Sequence, residues 1–105
     1  MDRLQVVAEP RRRAILRLVW DAEVPAGEIA AHFDVSFAAV SQHLGVLRQA
    51  GLVTVRRQGT RRLYRADRSA LGRLGQALEQ LWSSRLDELA ELAEAVERGG
   101  GDGRA

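Results

Sequence analysis

The sequence predicts a mainly α fold with one small β-hairpin (α+β), and three observations predict it. Apolar residues recur at helical spacing in four stretches, about 10–22, 26–33, 36–50 and 67–96. One β-branched segment, Leu52 to Arg57, faces another apolar and basic segment, Arg61 to Ala66, across Gln58-Gly59-Thr60, which reads as a hairpin. The chain has 105 residues, 46% of them apolar, so a single compact domain is expected, here over residues 1–97, with a glycine-rich disordered tail at 98–105.

Each element has its own signal. Asp2 to Ala8 carries Leu4 and Val7 at i, i+3 spacing and predicts a short helix. Pro10 suits the first position of a second helix, whose apolar stripe is Ile15, Leu18, Val19 and Ala22. Val24-Pro25 interrupts, and a third helix over about Ala26 to Phe33 is expected to bury Ile29, Ala30 and Phe33. Asp34-Val35-Ser36 then predicts a tight turn, with Ser36 as N-cap of a helix ending near Ala50 and Gly51 as its left-handed stop. In that helix Val40, Leu44 and Leu47 face inward, while Ala38, Ser41, Gln42 and Gly45 share the opposite face. Asp67 is expected to cap one last long helix of about 29 residues, roughly 43 Å at 1.5 Å per residue. Its apolar positions Leu71, Leu74, Leu78, Trp82, Leu86, Leu89, Ala93 and Val96 form a seam, better explained by a partner helix than by so small a core.

Charge and composition narrow the function. All 16 basic residues are arginine, and 13 of them fall within residues 1–73 against 7 acids, whereas 74–105 holds 3 against 7. The basic front suits a polyanion. Five arginines (Arg56, Arg57, Arg61, Arg62, Arg65) crowd the eleven residues from Val55 to Arg65 with no acid among them. The absence of cysteine excludes disulfides and thiolate sites, and His32 and His43 alone do not make a zinc shell. His43 borders the buried stripe and reads as structural or phosphate-facing. Ser83-Ser84 reads as surface; no phosphate loop or nucleophile–base pair is present, so an enzyme is not expected. No stretch is long and apolar enough for a membrane span, and the charged start begins no signal peptide, so a cytoplasmic protein is expected.

Helix, turn, helix and basic hairpin together predict a winged helix-turn-helix, whose second helix enters a major groove with small residues that let its backbone approach the bases. The segment Val40-Ser41-Gln42-His43-Leu44-Gly45-Val46-Leu47-Arg48-Gln49-Ala50-Gly51-Leu52-Val53 carries a resemblance. With Glu9-Pro10-Arg11-Arg12-Arg13-Ala14-Ile15-Leu16 before it and Arg57-Gln58-Gly59-Thr60-Arg61-Arg62-Leu63-Tyr64 after it, the chain resembles the ArsR family of bacterial winged-helix repressors over about residues 4–96. The resemblance implies a homodimer built by the first and last helices, on a palindromic operator in double-stranded DNA. The expected DNA-binding residues are Ser36, Phe37, Ala38, Ser41, Gln42 and His43 from the helix. From the hairpin they are Arg56, Arg57, Gln58, Thr60, Arg61, Arg62 and Tyr64. The expected dimer residues are Leu4, Val7, Leu71, Leu74, Leu78, Leu81, Trp82, Leu86 and Leu89.

Metal-sensing relatives carry a cysteine pair before the turn or aspartate and histidine ligands on the last helix. Here the first region reads Pro25-Ala26-Gly27-Glu28-Ile29-Ala30-Ala31, and no histidine follows Asp67, so no metal or other cofactor is expected and no residue identifies an effector. Phe37 stands where relatives often carry a polar base-reading residue, and it reads either as a prop beside the turn or as a contact to a thymine methyl. Arg11, Arg12 and Arg13 read first as a solvated helix face and second as phosphate contacts. The rival to a dimeric repressor is a winged-helix protein-interaction module that has lost DNA binding, a role that has no use for so basic a hairpin.

Overall fold

The computed structural model describes residues 1–83. The chain forms two compact units, 1–72 and 73–105. In the first, α1 (Arg3–Ala8) is followed by α2 (Pro10–Leu18), β1 (Val24–Pro25), α3 (Ala26–Ala31), α4 (Phe37–Gln49), β2 (Val53–Gln58), β3 (Arg61–Ala66) and α5 (Arg68–Leu71). Residues 73–83 of the second unit are helical.

Side-chain caps open α1, α2 and α4, the predicted Ser36 among them. Asp2 and Gln5 make a reciprocal capping box at the start of α1, with Gln5 N–H donating to Asp2 Oδ1 at 2.8 Å. Glu9 ends α1 and caps α2, accepting from Arg12 N–H at 2.9 Å, and Pro10 takes the first helical position. Ser36 Oγ accepts from Ala39 N–H at 3.1 Å to open α4. At the other end Gly51 has φ +77°; its N–H donates to the Arg48 carbonyl, and Leu52 N–H donates to the Leu47 carbonyl, both at 3.0 Å. These two bonds are a Schellman closure, and both Leu47 and Leu52, which such a closure brings together, are fully buried.

The sheet has three strands where two are predicted. Its order is β1-β3-β2, all antiparallel, with Val24 opposite Tyr64 and Pro25 opposite Leu63. A two-residue strand containing proline has no local signal, and proline is tolerated because β1 is an edge. β2 and β3 pair from Val53↔Ala66 to Gln58↔Arg61 around the two-residue turn Gly59-Thr60. Gly59 carries a positive φ and Thr60 does not, the pattern of a type II′ hairpin.

Burial departs from expectation in three places. α2 ends at Leu18 and buries Ile15 and Leu16, with Val19 and Trp20 buried just after it; Leu18 is half-buried and Ala22 lies beyond the helix, exposed. α3 ends at Ala31 and buries only Ile29, leaving Ala30 and Phe33 half-buried. The predicted long helix from Asp67 is interrupted: Asp67 caps α5, which stops at Leu71 because Gly72 adopts φ +55°, ψ −126°. Ile15, Leu16, Ile29, Val40, Leu44, Leu47 and Leu52 are almost fully buried, and Leu63, Tyr64 and Ala66 are the buried residues of β3.

Candidate nucleic-acid interface

α4 exposes the face expected of it. Val40, Leu44 and Leu47 are buried, while Ala38, Ser41, Gln42 and Gly45 are exposed; α2 and α3 pack against α4. A Cβ at Gly45 would meet nothing within 4 Å, so that side of the helix is open to an approaching surface. Ser36 is exposed but its hydroxyl is committed to the cap. Phe37, the first helical residue, is 57% exposed.

His43 is half-buried and faces inward to α2. Its Nδ1 lies 3.4 Å from Arg12 Nη1 and 3.8 Å from Glu9 Oε2, which assigns it a structural place beside the α2 cap rather than on the exposed face. Of the α2 arginines, Arg11 is solvated, whereas Arg12 and Arg13 are engaged. Arg12 Nε donates to the Val6 carbonyl at 2.7 Å and its Nη2 to Gln5 O at 3.4 Å; Arg13 Nη1 donates to Val7 O at 3.1 Å and Ala8 O at 2.8 Å. Those four carbonyls are the ones that the end of α1 leaves without helical partners. Two guanidinium groups cap them and complement the negative end of the helix.

The hairpin arginines divide by partner. Arg56 is held in a two-pronged ion pair by Glu23, with contacts of 2.7 and 2.9 Å, so the acid missing from the hairpin sequence arrives from the segment before β1. This hydrogen bond holds the Glu23 carboxyl below its ordinary value of 4.5 and raises Arg56. Arg65 donates to the Asp21 carbonyl at 3.4 Å, and Arg61 lies 3.9 Å from Glu28. Arg57 and Arg62, opposite each other near the tip, have no hydrogen-bond or ion-pair partner among the described residues. Gln58 and Thr60 are exposed at the tip. Tyr64, on the central strand, is 7% exposed and lines the opening that α4 and the hairpin tip border.

The exposed face of α4 and the hairpin tip share one open cleft of about 660 Å³, bordered by Phe37, Ser41, Thr60, Arg61 and Arg62. Pro25, Ala26 and Gly27, which the sequence does not single out, complete its wall, because β1 brings the start of α3 beside β3. Among the described residues no three His, Asp or Glu side chains gather as metal ligands, and no helix is long and apolar enough to cross a membrane.

Of the expected dimer residues, Val7 and Leu71 are each buried at 3% within their own chain. Leu4 and Leu81 are exposed at 68% and 39%, Leu74 and Trp82 are half-buried, and Leu78 is buried. Leu86 and Leu89 lie outside the described residues, as do Ala93, Val96 and the tail.

A helix-turn-helix domain family matches residues 7–56. The chain is 40% identical over 91 residues to the HTH-type transcriptional regulator Rv2034 of Mycobacterium tuberculosis, covering 87% of this chain and 85% of the relative. It is 32% identical over 76 residues to the arsenical resistance operon repressor of Staphylococcus xylosus, covering 72% and 73%. Among solved structures it resembles the homodimeric winged helix-turn-helix DNA-binding domain of Mb0332 from Mycobacterium bovis, a possible ArsR-family regulator. That match has a TM-score of 0.64 and 34% identity, and covers 76% of this chain and 73% of that one. The chain accordingly belongs to the ArsR family of winged helix-turn-helix transcriptional regulators, which are DNA-binding proteins and not enzymes.

Proposed function

We propose that the chain is a sequence-specific repressor that binds a palindromic operator as a homodimer and is not regulated by metal. The observation that carries this reading is the shared cleft: Ser41 on the exposed face of α4 and Arg62 at the hairpin tip border the same opening. One duplex lying there would meet base-reading groups and phosphate-binding groups together. Ala38, Ser41 and Gln42 face the bases in this reading, and Arg57 and Arg62 hold the phosphates beside them. On the last helix the dimer would use the exposed Leu81 with the half-buried Leu74 and Trp82, and on α1 it would use the exposed Leu4. Two half-sites, read by two copies of α4, then require a palindrome. Metal independence is supported by the lack of cysteine and of a histidine after His43. Repression follows if the operator overlaps a promoter, since a bound dimer excludes polymerase.

The test is an electrophoretic shift with the promoter fragment upstream of the protein's own gene, alongside a scrambled duplex, with chelator and with micromolar zinc. Retention of the promoter fragment alone, equally under both conditions, is expected. Equal binding to both duplexes would overturn sequence specificity. A tenfold change with zinc, about 1.4 kcal/mol of coupling, would overturn metal independence.

A further inference from the structure

We infer that Phe37 is a specificity-determining residue whose ring packs against the 5-methyl group of a thymine; this rests on the DNA-binding reading above. Phe37 opens α4, where a recognition helix points its first turn at base edges. Of the other large apolar residues of α4, Val40, Leu44 and Leu47 are buried and Val46 is half-buried, yet Phe37 is 57% exposed. Its ring borders the cleft with Ser41, one turn along the helix, and with Arg61 and Arg62 from the hairpin. More than half of this aromatic ring is open to water, in a cleft that two arginines also border. The arginines favour a polyanion over an apolar protein surface as the occupant of that cleft. Major-groove edges offer hydrogen-bond donors and acceptors, with one apolar group among them, the thymine methyl. Phe37 has no polar atom to read the rest, so the methyl is the feature it can distinguish.

Deoxyuridine removes that methyl and preserves every hydrogen-bonding group of the base. The operator is first recovered by selecting bound sites from a random duplex library with the 105-residue chain. Each thymine in the recovered site is then replaced singly by deoxyuridine. One thymine in each half-site should lose about fourfold in affinity on replacement, the ~0.8 kcal/mol of one buried methyl group at 1.4 kcal/mol per tenfold. Phe37→Ser should bind the thymine and uracil forms of that position equally, while Phe37→Leu keeps most of the discrimination. Both variants should keep wild-type affinity for scrambled duplex, which reports an intact fold. The inference is overturned if the wild-type chain distinguishes no thymine from uracil, an outcome that needs no variant to fold. It is equally overturned if Phe37→Ser still discriminates at that position. Failure of the wild-type chain to select any sequence would instead overturn the DNA-binding reading, and this inference with it.

Discussion

Arg57 and Arg62 stand directly opposite each other across the β2–β3 ladder, and neither has an acidic partner among the described residues. Like charges in that position oppose strand pairing by roughly 0.2–1 kcal/mol. The arrangement therefore costs stability in the free chain and is offset when a polyanion lies against it. Arg57→Thr should raise the melting temperature of the free chain and lower its affinity for every duplex. The log–log salt dependence of binding should flatten by about 0.9 for each phosphate that a subunit no longer neutralises. Calorimetry and anisotropy titration check the two halves, and a variant that loses stability as well as affinity would contradict the argument.

Arg56 is expected to behave differently because Glu23 already occupies it. Arg56→Ala should leave the salt dependence near that of the wild-type chain, whereas Glu23→Gln frees the guanidinium and should steepen it. The pair also fixes a pH dependence. Glu23 is held below its ordinary value of 4.5 by the Arg56 hydrogen bond, and Asp67 below 3.8 by the Ser69 hydroxyl and the Ala70 N–H. A depressed carboxyl contributes stability that is fully present above its ordinary value and is lost as pH falls through the lower folded value. The melting temperature should therefore be insensitive to these two groups from pH 5 to 8 and decline below about pH 4.5. In Glu23→Gln/Asp67→Asn that acid decline should be shallower, as thermal melts across about pH 2.5–6 would show.

The helix-capping arginines make a contrasting prediction. Arg12→Ala and Arg13→Ala should each destabilise the fold by about 1–3 kcal/mol, because carbonyls at the end of α1 are deprived of charged donors. The salt dependence of DNA binding should not change. Arg11→Ala, whose side chain is exposed and without a partner among the described residues, is the matching control with little effect on stability. Urea denaturation of the three variants checks the order; a flattened salt dependence in Arg12→Ala would assign it to phosphates instead.

Much of this architecture is legible in local patterns, and what is not depends on long-range pairing. Pro10, Ser36, Gly51 and Asp67 act where the local pattern places them because a cap or stop is decided by its neighbours within four residues. The exposed face of α4 follows from helical periodicity alone. β1 escapes such a reading because Val24 and Pro25 become a strand only through Tyr64 and Leu63, some forty residues away. The same distance hides Glu23 from Arg56, so the hairpin looks more unbalanced in sequence than it is in three dimensions. Motif alone places His43 among the DNA-facing residues, whereas the Glu9–Arg12 cap draws it inward. The last helix looks continuous because leucines persist at helical spacing through Gly72, and a single glycine at positive φ is a weak signal inside a strong stripe.

The proposed assembly rests on leucines that a lone chain leaves in water. Leu81→Glu places a charge on the proposed seam at a position 39% exposed in the single chain, so the protomer should still fold. Sedimentation should show a monomer for Leu81→Glu and the proposed dimer for the wild-type chain. Operator affinity should fall with it, because a monomer engages one half-site without the avidity of two. A Leu81→Glu chain that sediments as the wild-type dimer would remove that residue from the interface.

The central claim, that the exposed face of α4 reads bases while the hairpin tip holds phosphates, is tested most directly by titrating Gln42→Ala. Operator and scrambled duplex are compared at several salt concentrations. Gln42 is exposed on that face, and its amide can offer a donor and an acceptor together to an adenine edge. The account predicts a loss of about 1–3 kcal/mol on the operator alone, with the salt dependence unchanged. Equal weakening on both duplexes, or a flattened salt dependence, would contradict it.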